Sequence, residues 1–223
     1  MHIEPGLVDA SKIVLSYATA AGVFATAAVH LRADIRQGGV ALLAARSVVA
    51  AMGTFVFFEV LPHFPIGVSE VHLILGSSLL LLLGTAPAAI GLALGLLIQG
   101  MFFAPFDLPQ YGMNLTTLLA PLFVVHAIAR RTIPAGKAYA ELNYAEVFRL
   151  SLTYQGGIVA WVAFWAIYGG GVEMTNLQSI LTFGSAYMLV LLVEPLADLG
   201  LLAVAKRVRA GSLQRLINPM VYA

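Results

Sequence analysis

The chain begins Met1-His2, and these two residues carry three nitrogens able to close chelate rings on one metal ion. The terminal amine and the backbone amide nitrogen of His2 form a five-membered ring. The same amide nitrogen and the imidazole Nδ1 form a six-membered one. A fourth nitrogen completes a plane, and square-planar nitrogen ligation suits Ni(II) or Cu(II), while imidazole sites also accept Co(II). Methionine is trimmed only before small residues, so Met1 is expected to persist with its amine available. The following Pro5-Gly6 allows the segment to fold back over the protein.

A fourth nitrogen is offered by His72, in the stretch Phe64-Pro65-Ile66-Gly67-Val68-Ser69-Glu70-Val71-His72-Leu73. Pro65 and Gly67 bend this loop, and Ser69 is read as the N-cap of the next helix, with His72 in its first turn. A histidine hydrogen-bonded to a loop carbonyl is the plainer role. The second histidine at the N-terminus, on the same face, favours the ligand role. His63 is a lesser candidate, as an extra ligand or a capture residue at the entrance.

The elements that position these residues are membrane helices. The chain has 223 residues, 60% apolar and only 10% charged, against about 45–50% and about 25% in soluble domains. A net charge of +1 argues against nucleic-acid binding. The absence of cysteine excludes disulfides, thiolate metal sites and a cysteine nucleophile. About 20 apolar residues are needed to cross a bilayer. Seven spans are read: 11–30, 38–60, 72–83, 87–104, 113–129, 148–170 and 177–205. The third and fourth share a charge-free run from Val71 to Phe106, divided at Gly84-Thr85-Ala86-Pro87.

Basic residues set the orientation. Arg32, Arg36, Arg46, Arg130, Arg131, Lys137, Arg149, Lys206, Arg207, Arg209 and Arg215 fall on one side, and only Lys12 on the other. The basic side is cytoplasmic, which puts the N-terminus outside and the C-terminus inside. The expected fold is an all-α polytopic bundle forming a single membrane domain over 1–223. It comprises an extracytoplasmic segment (1–10), the bundle (11–205) and a cytoplasmic tail (206–223) whose basic residues suit anionic lipid. Glu4 and Asp9 stand before the first span with no basic residue, so no cleavable signal peptide is read. No G-x-x-x-x-G-K loop occurs, so any ATP-driven function needs an ATPase on another chain.

At these residues the sequence resembles the CbiM/NikM proteins, the substrate-binding (S) components of energy-coupling-factor transporters for cobalt and nickel. Members begin Met-His-Ile-Pro or similar, and this chain begins Met1-His2-Ile3-Glu4-Pro5-Gly6. Their Phe-Pro-Val-Pro-Gly-Gly-Thr-Ser-Gly-His-Leu loop corresponds to Phe64–Leu73, one residue shorter here. Gln99 and Gly112-Met113-Asn114 match two further hallmarks. His63 replaces a frequent Asn, and Glu70 a small residue.

The resemblance implies a site made of the Met1 amine, the His2 amide nitrogen and imidazole, and the His72 imidazole. It implies Co2+ or Ni2+ as transported substrate, cobalt favoured, with no organic cofactor. The implied partners are a transmembrane coupling subunit, cytoplasmic ATPase subunits and, in some relatives, a small accessory membrane subunit. The implied location is the bacterial inner membrane.

Other polar residues have roles around such a site. Glu59, near the outer end of its span, is a candidate for contacting the ligands or attracting cations, as is Glu70. Gln99 and Asn114 are read as hydrogen-bond holders of the N-terminal segment or as helix-pairing residues. Arg46 is expected to snorkel at the cytoplasmic end. Glu194 and Asp198, four residues apart on one helix face, repel one another and are expected to face a partner or solvent. His30 and His126 are assigned to cytoplasmic helix ends with no metal role. The small-residue pairs Ala21/Ala25, Gly22/Thr26 and Ala41/Ala45 permit close helix approach, inside the bundle or toward a coupling subunit.

Covalent catalysis is not expected. No H-E-x-x-H motif occurs, and Gly184-Ser185 has no histidine on its span, which argues against an intramembrane hydrolase. No lysine lies mid-span for a retinal Schiff base. A vitamin-binding S component would share the fold but would not require a Met-His terminus.

Overall fold

The computed structural model describes residues 3–207. Six helices carry the structure: α1 (Val14–Phe55), α2 (Gly76–Leu83), α3 (Thr85–Phe102), α4 (Tyr111–Thr132), α5 (Tyr144–Gly170) and α6 (Met174–Arg207). A two-stranded antiparallel hairpin, β1 (Phe64–Ile66) and β2 (Ser69–Val71), lies between α1 and α2. Among the described residues, five helical segments are long and apolar enough to cross a membrane.

The distribution of polarity is that of a membrane protein. Leu181, Leu189, Leu192 and Leu196 on α6 are exposed, while Glu194 and Asp198 on the same helix are fully buried. A hydrocarbon solvent rewards that inversion. The central helices are α3 and α4, which bury most of their surface, and α1 and α6 are peripheral.

Within α1, Gly39 departs from helical geometry (φ 78°, ψ 166°). A straight helix of 42 residues would be about 63 Å long, twice the hydrocarbon thickness. Asp34 and Arg46 interact electrostatically across the break, although 12 residues of straight helix would hold them about 18 Å apart. Glycine is suited to that positive φ. Arg46 is 4% exposed, so it does not snorkel to the surface as its position in the sequence suggests. Its neighbour Asp34 and the packing of α3 on α1 hold it inside.

Helix α3 packs tightly on α1. A Cβ on Gly91 would overlap Ala50, and one on Gly95 would meet the Thr54 side chain at 2.5 Å. Small residues at helical spacing permit this contact. The pairs singled out in the sequence all lie on exposed positions. On the other side of the bundle α5 packs between α4 and α6, and Asn143 and Glu146 close a capping box at its start. The helix break expected at Gly84-Pro87 is present, with Gly84 at φ 100° between α2 and α3. His126 Nδ1 lies 2.7 Å from Thr85 Oγ1, and the His30 ring meets the His126 ring at 4.4 Å. These histidines tie α1, α3 and α4 together, a lateral contact invisible along the chain.

Candidate metal centre

Met1 and His2 lie outside the described residues, and the structure is read from Ile3 onward. Ile3 is fully buried. Its amide N–H donates to Asn114 Oδ1 at 2.8 Å, and it pairs with Ser69 in an isolated antiparallel bridge. The Glu4 amide donates to the Val68 carbonyl at 3.2 Å. The N-terminal segment is thus laid along the hairpin as a short third strand, fastened at one point to α4.

The hairpin register is Phe64↔Val71, Pro65↔Glu70 and Ile66↔Ser69. His63 and His72 are the residues immediately beyond the last pair, at its open end. Gly67 makes the turn at φ 65°. A Cβ there would overlap the Ser179 carbonyl of α6, so both conformation and space demand glycine. Ser69 is buried within β2 and is not a helix cap. The next helix begins only at Gly76, so His72 belongs to the extended link between β2 and α2 rather than to a first turn. Pairing with Ile3 and Phe64–Ile66 outcompetes local capping.

His72 is 2% exposed. Its Nδ1 lies 3.2 Å from the Leu73 carbonyl oxygen, which can only accept, so Nδ1 carries the proton and Nε2 keeps the lone pair. A backbone carbonyl fixing one imidazole nitrogen while the other is left to ligate is a recurrent arrangement in metal sites. Phe58 meets the ring edge-on at 4.7 Å.

The remaining candidates separate. Asn114 touches the N-terminal segment. Among the described residues Gln99 makes no such contact: its Nε2 donates to the Phe58 carbonyl and to Glu59 Oε2, both at 3.2 Å. Gln99 therefore steadies the π-helical turn Val56–Val60 behind Phe58. His63 is half-buried, with Nδ1 3.2 Å from the Leu61 carbonyl oxygen. Glu70 is half-buried.

Two acidic residues not singled out in the sequence join Glu70. Glu4 has its pKa raised, first by burial and then by the charge of Glu70. Asp107, 5% exposed, is within electrostatic reach of Glu70 and Glu4. The three converge only after folding, and no spacing along the chain announces them. Lys12 Nζ donates to the Tyr168 and Gly169 carbonyls at the end of α5 (3.0 and 3.1 Å). Among the described residues, no three His, Asp or Glu side chains gather as a metal-holding group.

Glu194 and Asp198 do not face solvent or a partner. Both are 0% exposed. Glu194 accepts from the Ile74 and Leu75 amides and from Gln155 Nε2, and Asp198 from the Ser77 and Ser78 hydroxyls. Polar partners more than 110 residues earlier in the chain outweigh the repulsion between the two carboxylates.

The family model described as CbiM, cobalt uptake substrate-specific transmembrane region, matches residues 2–211. Among solved structures, the chain is similar to one entitled a truncated transition metal transporter, with a TM-score of 0.65 and 19% identity over 92% of this chain and 96% of that one. At that identity the likeness is one of fold. Comparison with curated protein sequences returns no match.

Proposed function

Because the chain belongs to the family of cobalt-uptake substrate-specific transmembrane regions, we propose that it is the membrane-embedded binding component of an ATP-driven importer for a divalent transition metal ion. Co2+ is the favoured substrate and Ni2+ the next. The ligands are the Met1 amine, the His2 amide nitrogen and imidazole, and the His72 Nε2. The observation that carries this reading is the anchoring of Ile3 to Asn114 and Ser69. It fastens Ile3, the residue after His2 in the sequence, to the hairpin whose second strand leads into His72.

Glu4, Glu70 and Asp107 give this region a negative potential that concentrates cations. His63 and Glu59 are the further candidates for its approach. The chain catalyses no covalent step. Partner ATPases and a transmembrane coupling subunit, with an accessory membrane subunit in some systems, supply the energy and the motion in the bacterial inner membrane. The seven segments proposed are the two parts of α1 on either side of Gly39 together with α2 to α6. The basic residues place the N-terminus outside and the C-terminus in the cytoplasm.

The test uses the purified full chain with its native terminus. One residue added before Met1, His2→Ala and His72→Ala should each abolish Co2+ and Ni2+ binding while thermal melting stays unchanged. Wild-type affinity in all three variants would sink the proposal. Cu2+ is the control, because nitrogen sites prefer it whatever their biological substrate.

A further inference from the structure

Helix α2 starts without a cap of its own. Its N-cap position is Leu75, in the left-handed region at φ 52° with no side-chain capping bond. The amides leading into the helix are served instead from α6, 120 residues away, where Glu194 accepts from Ile74 N and from Leu75 N, the latter at 3.1 Å. Gln155 Nε2 donates to the same carboxylate, and Tyr187 Oη donates to Gln155 Oε1 at 2.5 Å. Glu194, Gln155 and Tyr187 are all fully buried. A carboxylate at this depth is costly and marks a functional position.

The peptide unit between Leu73 and Ile74 links that carboxylate to the candidate ligand. Its N–H, on Ile74, donates to Glu194. Its C=O, on Leu73, holds His72 Nδ1 at 3.2 Å. Carboxylate, peptide and imidazole therefore form one hydrogen-bonded chain. An acceptor carboxyl oxygen at one end polarises the peptide and strengthens its carbonyl as an acceptor at the other. That fixes the His72 tautomer and ring orientation, and raises the basicity of Nε2.

We infer that Glu194 is a positioning residue for metal binding, acting on His72 through the Leu73–Ile74 peptide. The inference rests on His72 being a ligand. Asp198 is the natural comparison, since it lies one turn further along α6 and holds Ser77 and Ser78 within α2, beyond the peptide that touches His72.

The experiment takes the full chain in detergent with its native N-terminus, and compares Glu194→Gln, Asp198→Asn and His72→Ala. It measures Ni2+ affinity, the electron paramagnetic resonance spectrum of the Cu2+-loaded protein and metal-free melting. Glu194→Gln should weaken Ni2+ binding about 10- to 100-fold, the usual effect of losing a partner behind a metal-ligating histidine, and should alter the Cu2+ nitrogen hyperfine pattern. Asp198→Asn should melt no higher than Glu194→Gln, keep affinity within about threefold and leave the spectrum unchanged.

Unchanged affinity and spectrum in Glu194→Gln, or equal losses in Glu194→Gln and Asp198→Asn, overturn the inference. Wild-type binding by His72→Ala overturns the proposed site itself, whereas loss in His72→Ala alone overturns only the role of Glu194. If Glu194→Gln does not fold, Tyr187→Phe loosens Gln155 with one oxygen removed. It should weaken binding about 2- to 10-fold with the same spectral change, and wild-type behaviour on both counts overturns the inference.

Discussion

Replacing Asn114 by Ala removes the acceptor of a single hydrogen bond, from the amide of Ile3 at 2.8 Å. Ile3 is fully buried and Asn114 is 1% exposed, so water does not replace the lost partner. An unsatisfied buried donor costs about 1–3 kcal/mol. If the N-terminal segment docks along the hairpin in order to bind metal, that cost falls on the metal-bound state. At tenfold per about 1.4 kcal/mol, the dissociation constant rises roughly 5- to 150-fold. The assay is competition for Co2+ or Ni2+ against a chelator of known affinity, using the full chain with its native terminus. Gln99→Ala is the comparison, because among the described residues Gln99 bonds to Phe58 and Glu59 and not to the segment. It should shift the constant by less than Asn114→Ala does. Equal losses in the two variants, or wild-type affinity in Asn114→Ala, would refute the idea that the docked segment is part of the binding state.

Gly67→Ala forces a left-handed residue to carry a Cβ and drives that Cβ into the Ser179 carbonyl of α6. We expect a loss of more than 1 kcal/mol, seen as lower melting of the detergent-solubilised protein, with metal binding lost alongside. Glu4→Gln addresses pH. The folded-state pKa of Glu4 is raised above its ordinary 4.5 by burial and by Glu70, so the folded chain holds that proton more tightly than the unfolded chain. Metal-free stability therefore falls as pH rises from about 4.5 through the raised value. Glu4→Gln should flatten that segment of the melting-versus-pH curve and melt higher than wild type at pH 7. A bound cation favours the ionised acid, so saturating metal should shrink the difference, and an unchanged curve in the variant refutes the assignment.

The apolar segments that became α3 to α6 were legible because apolar runs and their interruptions are local, whereas the readings 11–30 and 38–60 fall in the single kinked element α1 and 72–83 is the eight-residue α2. The reading of 113–129 became α4 at Tyr111–Thr132, and 177–205 became α6 at Met174–Arg207. The break at Gly84 was legible for the same reason. What escaped was lateral. Glu194 and Asp198 are neighbours in sequence only to apolar residues and to each other, so repulsion was the one interaction available to reason from. Their partners, Ile74 to Ser78, come into play only when α6 lies against α2. Ser69 was misplaced because its side chain suits a cap, while its backbone has better partners in Ile66 and Ile3. The small-residue pairs Ala21/Ala25, Gly22/Thr26 and Ala41/Ala45 lie on exposed positions, whereas the tight contact of α3 on α1 uses Gly91 and Gly95. Asn114 and Gln99 looked equivalent in the sequence, and among the described residues it is Asn114 that bonds to the N-terminal segment, at Ile3.

The Lys12 ammonium is committed to the last carbonyls of α5 and lies 5.7 Å above the Tyr168 ring. That placement is favourable at a helix C-terminus. If the proposed site fills from the side of the hairpin, the acidic groups of Glu4, Glu70 and Asp107 favour a cation over an anionic complex such as a metal citrate. The speciation of metal in the medium, and not its total amount, would then govern how often the site is filled.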